Sequence, residues 1–164
     1  MKWWQWLLAG IGVWQAGVGL HQTLERRERY AEAERYAEAS SKPMLVVGGP
    51  YGSNPFRLSS AHGWGDVCLD IDPYACANGA YYVQADVRSI PFPDKYFSVV
   101  FISHVLEHLP TVEGCVAALE ELHRVADKVV IVSPSKQSIL AWLIPDHFLW
   151  LTQDEKGTVW IEQR

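Results

Sequence analysis

Six residues, Phe97 to Ile102, constrain the fold of this chain more than any other stretch. The run FSVVFI has Ser98 as its one polar member and is bounded by turn signals. With no alternating polar face, it reads as a strand buried on both sides, as in a parallel sheet. It lies within YYVQADVRSIPFPDKYFSVVFISHVLEHL, residues 81–109. There an apolar run ends in Ala85-Asp86, Pro91 and Pro93 hold a loop, and Ser103-His104 turns the pattern helical. Polar groups thus collect at successive strand ends. In open α/β sheets, ligands bind beyond the carboxyl ends of the strands, so the pattern points to a small-molecule site.

Strand and helix alternate around this stretch. Met44 to Val47 reads as a short buried strand running into Gly48-Gly49-Pro50-Tyr51-Gly52, where glycines let the backbone approach a ligand closely. A helix limited by Pro55 and Gly63 is expected next. Asp66 to Ile71 is a second strand ending in Asp70, and Ala80 to Gln84 a third ending at Asp86. Val116, Leu119, Leu122 and Val125 follow helical spacing within 112–125, and Val129 to Val132 reads as a fifth strand. Ser138 to Trp150 is expected to be helical in part and broken at Pro145, with Thr158 to Ile161 a candidate last strand. The fold class implied is α/β: a Rossmann-like, doubly wound, mostly parallel sheet with a compressed C-terminus.

The amino-terminal stretch is different. Residues 3–20 carry no charge, and their polar members are Gln5 and Gln15. Eighteen helical residues span about 27 Å, just under the roughly 30 Å of a hydrocarbon core. Trp3, Trp4 and Trp6 sit at the outer end, where amphipathic rings prefer the bilayer interface. Residues 1–21 are therefore expected to anchor the chain in a membrane, and the bland readings are a helix lying in the interface or docked on a partner. Arg26, Arg27 and Arg29 follow, which puts the remainder in the cytoplasm by the positive-inside rule. Residues 22–42, with ERYAEA repeated at 28–33 and 34–39, read as a charged helical stalk, and 43–164 as the α/β domain.

A net charge of −5 argues against nucleic acid as a main partner, since phosphate binding needs a basic face, and none is expected. Cys68, Cys76 and Cys115 are an odd set without CxxC spacing, which fits reduced thiols in a cytosolic domain better than a disulfide framework. At the strand ends, a carboxylate such as Asp70 can accept hydrogen bonds from the vicinal hydroxyls of a ribose. Asp86, with the backbone N–H of Val87, can read an adenine edge, and Ile71 can pack on the ring. Together these residues describe an adenosine pocket.

With those residues assembled, the chain resembles the class I S-adenosylmethionine-dependent methyltransferases, in the branch acting on small molecules and lipid quinones. The likeness covers roughly 44–134 and is strongest over ADVRSIPFPDKYFSVVFISHVLEHL, with ELHRVADKVVIVSP resembling the family's next helix and strand. It implies S-adenosylmethionine as cofactor. Gly48, Gly49 and Gly52 would lie under the methionine moiety, Asp70 at the ribose, Asp86 and Val87 at the adenine with Ile71 on its ring face, and Ser103 and His104 near the sulfonium. The chain departs from the family's pattern at Val46 and Ser98, where acids are usual, and at Pro50, where a glycine is usual.

Other chemistries fit less well. His104-Val105-Leu106-Glu107-His108 matches an H-x-x-E-H zinc pattern, which needs the segment on one helix and a third protein ligand; His104 follows a buried strand directly and Leu109-Pro110 ends the segment, so no metal is expected. A dinucleotide fingerprint needs glycines where Pro50 and Ser53 stand. Methyl transfer depends chiefly on alignment, with a base needed only when the acceptor must lose a proton. His104 and His108 are the candidates for that base, and His147 is a weaker one. The reading is methyl transfer to an unidentified small-molecule or lipid acceptor near a membrane. The alternative is a tethered binding module of the same fold without catalysis, motivated by Val46, Pro50 and the short C-terminus.

Overall fold

The computed structural model describes residues 2–50, 62–76, 81–154 and 157–164. Its elements are α1 (Trp3–Glu38), β1 (Met44–Val47), β2 (Val67–Asp70), β3 (Tyr82–Gln84), β4 (Phe97–Ser103), α2 (Val112–Val125), β5 (Ala126–Val132), α3 (Ile139–Leu143), β6 (Leu149–Gln153) and β7 (Val159–Gln163). A 3₁₀ turn, Leu106–His108, follows β4. Strands β1 to β5 form one parallel sheet in the order β3-β2-β1-β4-β5. The strand order reverses between β1 and β4, and it is beyond such a switch point that open α/β sheets bind ligands. The expected helix after the glycine turn, together with Gly52, lies outside the described residues.

All seven residues of β4 are buried, as the run FSVVFI demands. Alternation assigns its side chains to two cores. Leu45, Val47, Val100 and Ile102 face Cys115, Ala118, Leu122 and Val125 of α2. Met44, Val46, Val99 and Phe101 face Tyr30 and Ala33 of α1. Tyr30 meets Phe101 edge-on at 5.1 Å, a favoured aromatic geometry. Thr111 caps α2 by accepting from the Gly114 N–H at 3.1 Å, which fixes where that helix starts.

The amino-terminal expectation is corrected here. The expected anchor and stalk form one continuous helix, and among the described residues no helix is long and apolar enough to cross a membrane. Gly10, Gly12, Gly17 and Gly19, with Gln5 and Gln15, dilute the apolar stretch too far. The repeat does not stand clear in solvent either. Its period brings Tyr30, Ala33 and Ala37 onto one helical face, and that face covers the sheet. Glu32 on the same helix pairs with Lys128 of β5 at 2.7 Å. The first half of α1 remains exposed, with Trp3 76% accessible and Trp6 66%.

The C-terminal segment folds as a second, antiparallel sheet of β6 and β7. Leu149 and Leu151 join the α2-side core, and the Phe148 N–H donates to the Glu107 carbonyl at 2.8 Å. This pairing docks the segment on the 3₁₀ turn. Strand β6 lies partly where the sequence suggests a broken helix, because Trp150 and Leu151 are buried by tertiary packing that no local periodicity reports.

Truncating a large ring in this core removes both transfer energy and packing. Phe101→Ala is expected to lower the unfolding free energy by about 3–5 kcal/mol in urea melts, while Trp3→Ala leaves it within about 0.5 kcal/mol. Equal losses from the two would contradict the assignment of α1's second half, and not its first, to the core.

Candidate active site

Strand β1 delivers its turn directly to the switch point. Gly48 has a φ of +86°, and a Cβ there would stand 2.4 Å from Val105 Cγ2. At Gly49 a Cβ would fall 1.9 Å from the Ala75 carbonyl oxygen. Both positions therefore require glycine, one for conformation and space and the other for space alone. Val46, where the resembled family carries an acid, is fully buried on the α1 face, where a carboxylate would go unsolvated.

Asp70 ends β2 and organises the loops beside it. Its Oδ2 accepts from the Gly49 N–H at 3.1 Å and its Oδ1 from the Asp72 N–H at 2.9 Å. A carboxylate has about four acceptor sites, so each oxygen keeps capacity for a ligand hydroxyl. Ile71 is 67% exposed beside it. Asp86 is differently placed. It accepts from the Arg88 backbone N–H at 2.8 Å, and the Arg88 side chain forks onto both oxygens, with Nη2 at 2.6 Å. Those hydrogen bonds hold the Asp86 carboxyl below the usual carboxylate range. The acid expected at the adenine is thus largely engaged by its own loop. Arg88 was not among the residues singled out from sequence, although a basic residue two positions after an Asx-type acid is a readable signal.

Strand β4 ends in Ser103 and His104. The Ser103 hydroxyl is buried without a hydrogen-bond partner. His104 has a φ of +56°, an uncommon conformation for a residue other than glycine. Its Nδ1 lies 3.4 Å from Oε1 of Glu107, which is wholly buried. His108 Nδ1 is 2.9 Å from the Asp146 carbonyl, and its ring lies 4.8 Å from that of His147. Burial holds the His147 imidazole below its ordinary range, with Glu107 pulling the other way. Burial, reinforced by Glu107, pushes the Cys115 thiol up to about 11, so this free cysteine is inert.

Two adjoining cavities join these residues. One, of about 260 Å³, is lined by Gly48, Asp70, Ile71, Asp86, Val87 and Arg88. The other, of about 540 Å³, is bounded by Gly48, Gly49, Asp70, Ser103, His104 and His147. His108 and Val105 line both. Each described residue expected at the site from sequence therefore lines one or the other of these two cavities. A larger cavity of about 810 Å³ opens at the amino end of β1 around Pro43 and Trp64, away from the switch point and from these groups. Glu107 was missed as a site residue because its burial depends on the C-terminal sheet, and Arg26 of α1, which also lines the second cavity, carried no local signal.

The expectation of three reduced thiols is corrected. Cys68 and Cys76 form a disulfide, with Cα atoms 5.7 Å apart, across the turn that carries Asp70. The turn folds back so that a separation of eight residues becomes a contact, which spacing rules do not register. The bond also removes the cysteine-based support for a cytosolic domain.

Residues 45–131 match the family described as a methyltransferase domain. No curated protein matches the chain. Among solved structures, the chain is similar to the N-methyltransferase NodS from Bradyrhizobium japonicum WM9 in complex with S-adenosyl-L-homocysteine, at 16% identity and a TM-score of 0.44, covering 77% of this chain and 76% of that one. It is also similar to the PH0226 protein from Pyrococcus horikoshii OT3, at 17% identity and a TM-score of 0.46, covering 84% and 71%. The trans-methyltransferase CalH, complexed with SAH, aligns at 20% identity and a TM-score of 0.41; the match covers 64% of this chain and only 36% of CalH.

Because a Cβ at position 49 has backbone rather than a flexible side chain in its way, Gly49→Ala must displace the Asp70–Cys76 turn. The expected cost is at least about 1 kcal/mol in denaturant melts. A melt indistinguishable from the parent chain would show that the close approach of the two loops is not maintained in solution.

Proposed function

The chain belongs to the methyltransferase-domain family, class I and S-adenosylmethionine-dependent, and from that premise we propose that it transfers a methyl group from this cofactor to an acceptor held in the His-lined cavity. The observation that carries the reading is the Gly49 N–H bonded to Asp70 at 3.1 Å, which ties the glycine turn to the strand-end acid at the switch point. The residues fit the cofactor. Gly48 and Gly49 let the β1 turn pack its backbone directly against Val105 and the Ala75 carbonyl at the switch point, and Asp70 retains acceptor capacity for ribose hydroxyls. Ile71 and Val87 supply apolar contact for the adenine ring, and the Val87 N–H supplies a donor. Bound there, the cofactor supplies an electrophilic methyl on a sulfonium.

Catalysis by this chain is then mainly alignment. Ser103 and His104 border the space between donor and acceptor. His104, oriented by Glu107, is placed to take a proton from an oxygen or nitrogen acceptor. The reading without catalysis has one observation in its favour: Arg88 occupies the carboxylate of Asp86.

The acceptor is proposed to be amphipathic and to come from a membrane surface. Support comes from the exposed Trp3, Trp4, Trp6, Leu7 and Leu8 on α1, a composition suited to lying in a bilayer interface. Exposed Leu140 and Leu143 of α3 continue that apolar surface, joined to α1 by Gln15, which bonds the Gln137 carbonyl at 3.0 Å and the Ile139 N–H at 2.8 Å. Leu140 also lines the His-rich cavity.

Calorimetry with the full chain tests the cofactor. S-adenosylmethionine and S-adenosylhomocysteine are expected to bind one to one, and Asp70→Ala to weaken both on the order of 10- to 100-fold, as for the loss of hydrogen bonds to a charged group. No binding by folded protein at millimolar cofactor would refute the enzyme. Bound cofactor without turnover over a broad acceptor panel would favour the binding module. For the surface, the chain is expected to co-sediment with phospholipid vesicles and to lose this when Trp3, Trp4 and Trp6 are changed to Ala together. Unchanged sedimentation of that variant would remove the membrane from the account.

A further inference from the structure

We propose that Glu107, His108 and His147 form a binding site for a first-row divalent metal ion, with zinc the best fit. Each residue offers one ligand atom, and these atoms lie within 4.8 Å of one another. Tetrahedral ligands about 2.0–2.1 Å from zinc stand roughly 3.4 Å apart, so the set needs to close by on the order of 1 Å. His108 is exposed and free to make that adjustment. Two imidazoles and one carboxylate form a donor set suited to zinc and neighbouring metals, and not to calcium or magnesium.

The orphaned atoms of the cluster point the same way. Glu107 is wholly buried, and neither carboxylate oxygen has a hydrogen-bond partner. Burying an unpaired carboxylate costs several kcal/mol, so a cationic partner is called for. His104 Nδ1, at 3.4 Å, addresses only Oε1 and leaves Oε2 for an ion. His147 is 4% exposed, and its Nδ1 has no partner. His108 approaches the Asp146 carbonyl through Nδ1, and a carbonyl can only accept. That nitrogen must therefore carry the proton, which leaves Nε2 as a free ligand. Such a second hydrogen bond is the usual support of a metal-bound histidine.

Two of the ligands, Glu107 and His108, are adjacent in sequence, and the third comes from the C-terminal segment. Phe148, next to His147, donates to the Glu107 carbonyl at 2.8 Å. Arg164 holds the same loop, donating to the carbonyls of Ile144 at 2.8 Å and His147 at 3.1 Å. Three protein ligands leave a fourth position open, which marks catalytic rather than structural zinc. His108 and His147 both line the cavity that contains Gly48, Gly49 and Asp70, so the open position faces the donor site. Only the next step rests on the methyl-transfer reading: an acceptor hydroxyl binds the ion through its oxygen, which lowers its pKa, and its proton passes to His104 or to water.

The test uses the full chain, stripped by chelator and titrated with Zn²⁺ by calorimetry and with Co²⁺ by visible absorption. One equivalent is expected, with the intense d–d bands of a four-coordinate site. His147→Ala and His108→Ala should each weaken binding by about tenfold or more, and Glu107→Gln, which keeps the buried volume, should do the same. Circular dichroism establishes that each variant is folded, and His147→Gln replaces His147→Ala should the latter unfold. No stoichiometric binding, or binding unaffected by loss of His147, would overturn the site. Titrating the same samples with S-adenosylhomocysteine separates the two readings. Metal binding without cofactor binding supports this site and refutes the transferase, and cofactor binding without metal binding does the reverse.

Discussion

Double-sided burial of β4 is the constraint on which the rest of this structure depends. A strand with no polar face needs cover above and below, and this chain supplies it from two distant segments. Helix α2 follows β4 directly and covers one face, while α1 comes from the opposite end of the chain to cover the other. The Tyr30–Phe101 contact and the wholly buried Ala33 show how closely α1 approaches. Without that helix, Val99, Phe101, Val130 and Val132 would lie open to water. At roughly 1.5–3 kcal/mol for each large apolar side chain, such exposure rivals the net stability of an ordinary domain.

The same burial positions the chemistry. Because β1 and β4 are fixed side by side, Gly48 and His104 emerge together at the switch point, and both adopt positive φ. Asp70, one strand further along, accepts from Gly49 and so locks the β1 turn to the β2 end. The C-terminal segment then brings His147 to the 3₁₀ turn, beside His108. Gly48, Gly49 and Asp70 thus come from the parallel sheet, and His108 and His147 from the join between that sheet and the C-terminal segment.

What was legible in the sequence follows from the range of the forces involved. The parallel strands, α2 and the acids at strand ends could be read because burial pattern, helical spacing and turn chemistry are local. Family resemblance over 44–134 pointed to the same fold, and the match over 45–131 agrees with it. The role of α1 was hidden because Tyr30 and Ala33 look like any residues of a charged helix until Phe101 is placed beneath them. Its first half resembles a membrane span in length and lack of charge, and dilution by glycine outweighs both. The Cys68–Cys76 bond and the approach of His147 to Glu107 depend on chain reversals that spacing does not encode. Asp86 lay between these cases: its place at a strand end was foreseen, and its capture by Arg88 was not.

The central claim is that the cofactor lies across the ends of β1, β2 and β4, and a crystal structure of the full chain grown with saturating S-adenosylhomocysteine tests it most directly. The account predicts the homocysteine moiety over Gly48 and Gly49, the ribose hydroxyls on Asp70, and the sulfur facing Ser103 and His104. Ligand bound elsewhere, or crystals that diffract well and contain none, would contradict it.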